Sequence, residues 1–207
     1  MLGLVIKDFY ITKKYMKTIF MIVIFYSVFC TIYSNMPFLA GMIILSFSMI
    51  VLTTIAYDDA VKWDKYALSM PVSRKNIVFA KYVSTAIYTL SGSIITLVLT
   101  IIIQLIKKAQ VTNEDLFTIL AISTIGFVLV SVLLPLVYKF GLEKARLLLV
   151  LVFAIPFAVV LIAKSMNIAV PSERSIYNIL IFSPFVALII FVLSFYISSK
   201  IYENKEL

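Results

Sequence analysis

Six apolar blocks separated by short polar stretches set the rhythm of this 207-residue sequence. They run over 18–34, 37–57, 82–106, 116–138, 147–163 and 176–197. Each is near the roughly 20 residues that an α-helix needs to cross a hydrocarbon core. As drawn, no Asp, Glu, Lys or Arg lies inside any block. The alternating segments of about 10 residues that a membrane barrel would show are absent. The pattern therefore predicts an all-α polytopic membrane protein, with residues 18–207 as a six-span transmembrane domain. Ahead of it, 1–17 reads as an interfacial amphipathic helix. Leu2, Val5, Phe9 and Met16 gather on one side of a helical wheel, with Lys7 and Lys14 opposite. Such a helix lies in the headgroup layer with its bases near anionic lipid; a frayed basic terminus is the plainer alternative.

The polar stretches orient the bundle. An even number of spans puts both termini on one side, and that side collects fourteen of the eighteen Lys and Arg residues. The remaining four, Lys107, Lys108, Lys164 and Arg174, fall on the other. Positive loops face inward, so both termini are expected in the cytoplasm. Tyr15, Tyr33, Tyr57, Tyr82, Tyr138, Tyr177 and Tyr196 lie near span ends, as an aromatic belt would. The external loops are too short for a domain, since domains need at least about 50 residues. The longest polar interruption, Tyr57 to Lys75, holds three acids, four bases and the only tryptophan. On topology it is cytoplasmic, where a soluble partner can reach it.

Composition narrows the class. The chain is 63% hydrophobic and 14% charged, with a mean hydropathy of +1.10, whereas soluble domains are about 45–50% apolar and about 25% charged. The net charge of +8 reads as positive loops facing an anionic bilayer, so no nucleic-acid partner is expected. Cys30 is the single cysteine and sits in the first block, so no intrachain disulfide can form. The first block ends without a small-x-small cleavage site, so no cleavable signal is expected.

Absences exclude most chemistry. Without histidine there is no Ser-His or Cys-His site and no HExxH zinc site. The five glycines, Gly3, Gly41, Gly92, Gly126 and Gly141, are too dispersed for a P-loop or a GxGxxG fingerprint. Tyr57-Asp58 is half of an intramembrane aspartyl-protease signature, but the second half is missing. Ion-coupled transport normally leaves charged ligands within the spans; none stands there, which weakens that reading but leaves sodium held by backbone carbonyls open. No catalytic residue, cofactor or metal site is assigned to this chain. What remains is a protein that draws energy from elsewhere or has no energetic task.

The third span carries a small-polar face: Thr85, Thr89, Gly92, Ser93, Thr96, Thr100 and Gln104 recur every three or four residues. Such residues let membrane helices approach closely. The face is either a packing surface, the wall of a polar path or a dimer seam. Pro135, Pro156 and Pro184 fall inside the last three spans, where neighbours must satisfy the carbonyls they free.

The run Asp59–Tyr82, DAVKWDKYALSMPVSRKNIVFAKY, resembles the first cytoplasmic loop of type-2 ATP-binding-cassette (ABC) exporter permeases. The matching elements are Leu68, Ser69, Pro71, Val72, Ser73 and Arg74, then Ile77 and Lys81-Tyr82. Leu4-Val5-Ile6-Lys7-Asp8 is similar to that family's entry helix, and Pro135 through Arg146 to its second cytoplasmic loop. The resemblance is to the small six-span permeases of phenol-soluble-modulin and bacteriocin-type peptide exporters.

What the resemblance implies is a half-transporter in a bacterial plasma membrane. It would pair with a second permease copy, identical or different, and with cytoplasmic P-loop ATPase subunits that hold ATP and Mg. The cargo would be an amphipathic peptide. Residues 58–75 would form the coupling helix, seated on the ATPase. Trp63, Tyr66, Leu68, Met70 and Val72 would be its apolar anchors, and Asp58, Asp59, Asp64, Arg74 and Lys75 its charged rim. Pro71 would stop the helix. Lys139, Phe140, Gly141, Glu143, Lys144 and Arg146 would form the second contact loop, with Gly141 permitting a tight turn. The plainer reading is that Trp63 and Tyr66 anchor the loop at the headgroups. The competing function is a non-transporting membrane immunity, sensor or scaffold protein that binds toxic peptides.

Overall fold

A computed structural model describes residues 2–33, 35–69, 71–165 and 173–205. Within these ranges the side chains of 64, 68, 153, 155–157, 159, 160, 162–164 and 173–178 lie outside the description. The described residues form helices α1 (Leu2–Lys13), α2 (Met16–Tyr33), α3 (Met36–Ser48), α4 (Ile50–Ala60), α5 (Trp63–Leu68), α6 (Arg74–Ile106), α7 (Asn113–Phe140), α8 (Leu142–Ser165) and α9 (Glu173–Glu203). No strand occurs among them. Among the described residues, five stretches are long and apolar enough to cross a membrane: Met16–Tyr33, Met36–Ala60, Arg74–Ile106, Asn113–Phe140 and Ile179–Glu203. The block 147–163 falls in α8, part of whose side chains lie outside the description, as does that of Pro156.

The helix boundaries follow local chemistry. Asn35 caps α3, its side chain accepting from the Phe38 N–H at 3.0 Å, with Pro37 in the first turn where no donor is needed. Ser73 caps α6 in the same way, accepting from Asn76 N–H. Thr112 and Asp115 cap α7 reciprocally. The block 37–57 is two helices: Ser48 Oγ donates to Ile44 O at 2.6 Å, a back-bond that bends helices. The chain breaks at Met49 immediately after it. Gly141 ends α7 at φ 80°, where a Cβ would meet nothing within 4 Å. Its requirement is thus conformational rather than steric.

Two close approaches set the bundle. A Cβ on Gly92 would stand 2.7 Å from Phe47 Cβ, and one on Gly126 would stand 2.9 Å from Ser48 Oγ. The groove between α6 and α7 thus admits α3 only because both positions lack a side chain. The third-span face lines this contact. Thr85, Thr89, Thr96 and Thr100 are buried, and Ser93 hydrogen-bonds Ser123 of α7 at 2.7 Å. Thr85, Thr89, Ser93 and Thr96 also donate to carbonyls four residues back, and Gln104 donates to Asp115.

The carbonyls that Pro135 and Pro184 free are both hydrogen-bonded. Pro135 frees the Ser131 carbonyl, and Ser194 Oγ of α9 donates to it. With its one proton committed there, Ser194 must accept from Tyr82 Oη at 2.6 Å, which leaves Ser198 donating to Tyr82 at 2.8 Å. Pro184 frees Leu180 O, which accepts from Ser183 Oγ at 2.9 Å.

Candidate functional site

The site is built at the end of the bundle where α1, α5 and the α7–α8 turn meet. Here charged side chains are buried where helices run past the apolar blocks. Helix α6 begins at Arg74, so Lys81 lies inside it, two turns from its start and 5% exposed. Asp58 lies in the last turn of α4, 6% exposed, and Asp8 lies in the middle of α1, 1% exposed. Lys7 completes the group.

Lys81 Nζ lies 2.7 Å from Asp8 Oδ1, 2.7 Å from Asp58 Oδ2 and 3.0 Å from Thr54 Oγ1. Three acceptors meet three ammonium donors. Lys7 Nζ donates to both Asp58 oxygens at 2.6 and 2.7 Å and lies 3.5 Å from Asp8. Ser84 donates to Asp8 Oδ2 at 3.1 Å. Thr12 Oγ1 donates to Asp8 O and so accepts from Tyr88 Oη at 2.8 Å. Two cations and two anions balance, and the quartet ties α1, α4 and α6 together. Burial is the largest influence on Lys7. It pushes the ammonium below its ordinary 10.5, the Lys81 charge adds to that, and the bonds to Asp58 oppose it.

Of the four apolar residues of the expected wheel, Leu2, Phe9 and Met16 are exposed and Val5 is half-buried. Asp8, Ile11 and Thr12 face inward, while Leu2 (79% exposed), Ile6 and Tyr10 face out. Lys7 turns toward the quartet. Sequence reasoning passed over Lys7, Asp8 and Lys81 as a site. The available signal was that Asp8 is the only acid before Asp58, set in an otherwise basic helix.

The loop hangs from this quartet. Lys62 adopts a left-handed φ of 51°, which reverses the chain between α4 and α5. Six residues of helix follow, and Ser69 closes them, its Oγ donating to Tyr66 O at 2.7 Å. Trp63 packs on the apolar core with its ring 4.5 Å beneath Lys7 Nζ. Its Nε1 is buried without an acceptor among the described residues. Val72 also packs on that core, whereas Tyr66 is 61% exposed and Asp59 and Pro71 are exposed. Arg74 donates to the carbonyls of Tyr202, Glu203 and Lys205, capping α9, and Lys75 pairs with Glu203 at 3.5 Å. Met70 and the side chains of Asp64 and Leu68 lie outside the described residues.

The second loop rests on the same core. Tyr138, Leu142 and Ala145 join Ala67, Val78 and Tyr202 in one buried cluster. Phe140 (43% exposed), Lys139, Glu143, Lys144 and Arg146 project from it. A single end of the molecule therefore displays both loops.

Fold and site together define a multi-pass helical membrane protein with a charge-stitched junction beneath two polar loops. Residues 3–203 match the family described as ABC-2 family transporter protein, and the chain belongs to that family. It is thus a membrane component of a transport system. No curated protein and no solved structure matches the chain significantly.

Proposed function

We propose that the chain is the permease subunit of an ATP-driven exporter with six spans and both termini in the cytoplasm. ATP, with Mg, is hydrolysed on a separate P-loop ATPase chain, and a second permease copy completes the pathway. The cargo is an amphipathic peptide, in keeping with a bundle whose span faces are apolar or hydroxylated. One observation carries the reading: α5 and the α7–α8 turn share one buried cluster, so an ATPase gripping the exposed side of both would act on a single rigid unit.

Co-expression with an ATPase subunit encoded beside it tests the reading. A stable complex whose ATPase rate responds to a panel of amphipathic helical peptides is expected. Failure to form any complex would overturn the permease reading. A complex indifferent to every peptide would overturn the cargo.

A further inference from the structure

We infer that Trp63 is an internal latch, and that α1 is a moving part of the coupling unit rather than a passive headgroup helix. This rests on the permease reading and adds how the junction transmits force.

Three observations carry it. First, the indole does not project from the loop as a plug would. It lies on the core with its face under the Lys7 ammonium at 4.5 Å and is tilted 48° to the Tyr66 ring, the centroids 5.4 Å apart. Second, that ammonium is the one bound to both oxygens of Asp58, five residues before Trp63 on the other side of the Lys62 reversal. Third, Asp58 is shared with Lys81, and Lys81 with Asp8, so the chain of contacts runs α5–α1–α4–α6 without a gap.

Moving α5 alone would strip Lys7 of its ring. It would leave a desolvated cation whose remaining bonds are to α4, and a cation over a desolvated aromatic face is strongly held. The energetically smooth motion therefore carries α1, α4, α5 and the start of α6 together. Buried ion groups contribute little net stability but fix one arrangement against others, as a linkage that must not slip requires. Among the described residues of α5, Tyr66 is the exposed aromatic left to meet the ATPase.

The test uses the complex with its ATPase in lipid nanodiscs. Spin labels go on Lys13→Cys in α1 and Lys65→Cys in α5, in a Cys30→Ser background. In the parent, the label distance should stay single and narrow before and after trapping with ATP and vanadate. Lys7→Met/Asp58→Asn removes the link while leaving the balanced Lys81–Asp8 pair. It should broaden or split the distance on trapping, with ATPase affinity kept within about twofold. Trp63→Leu should behave likewise, and Trp63→Phe, which retains a ring face, should restore the narrow distance. Tyr66→Ala should do the opposite, losing about tenfold or more in ATPase affinity as a contact anchor does, with the distance unchanged. An unchanged distance in Lys7→Met/Asp58→Asn overturns the inference, and so does loss of ATPase affinity in Trp63→Leu. Absence of any complex in the parent sinks the permease reading and this inference with it, whereas the first two results sink this inference alone.

Discussion

Replacing Lys81 with methionine isolates the energetics of the junction. The substitution preserves volume and apolar packing but withdraws the cation that serves Asp8, Asp58 and Thr54 at 2.7, 2.7 and 3.0 Å. Lys7 alone would then face two buried carboxylates, leaving a net negative charge at side chains exposed by 1% and 7%. Breaking a buried ion group by removing one partner costs about 3–5 kcal/mol. At about 2–4 °C per kcal/mol for a chain of this size, that is a fall in melting temperature of about 6–20 °C. The companion change Asp8→Asn removes the surplus charge and keeps the Lys7–Asp58 pair and the Ser84 contact. Replacing a whole ion pair by neutral groups is close to energetically level. Lys81→Met/Asp8→Asn should therefore melt well above Lys81→Met alone, although it carries one substitution more. Fluorescence-detected gel filtration after a heat step, in one detergent, reads all three proteins. If Lys81→Met melts with the parent, or if Asp8→Asn lowers it further, the quartet does not carry charge as described.

Three further substitutions probe the surrounding framework. Gly92→Val would drive carbon into Phe47 Cβ, 2.7 Å from where the new Cβ must stand; a loss of about 1–3 kcal/mol is expected in the same melts, and Phe47→Ala, which keeps the Cβ, should not recover it. Ser194→Ala strands the Ser131 carbonyl that Pro135 frees. It should cost about 1–3 kcal/mol, whereas Ser198→Ala, which leaves that carbonyl bonded, should cost less. Arg74→Lys shortens the side chain whose Nη1 alone meets three terminal carbonyls of α9; earlier proteolytic release of the C-terminal residues would record the frayed helix.

Much of the architecture was legible because lipid allows few alternatives. A run of apolar residues such as 116–138 must be helical when no water can serve its backbone, and the helix found there is α7. Sites that depend on partners distant in sequence were not legible. Lys81 looks like a loop residue because a window sees only Val78, Phe79 and Tyr82 beside it. The two aspartates that make its burial tolerable lie 73 residues away in α1 and in the last turn of α4. Nor could the helical wheel of residues 1–17 show that Lys7 and Asp8 find partners in α4 and α6. Proline at 135 announced a freed carbonyl, but nothing in the sequence said that Ser194 would meet it. The position of Trp63 was legible; its partner was not, because a cation–π contact leaves no spacing signature.

Photo-crosslinking from the loop tests the central claim most directly. A benzophenone amino acid is placed at Tyr66 in one protein and at Trp63 in another, each assembled with its ATPase in nanodiscs. Tyr66 should crosslink to the ATPase chain, while Trp63 should crosslink only within the permease, to the peptide carrying Lys7. Crosslinking of Trp63 to the ATPase, or of neither position, would contradict the account.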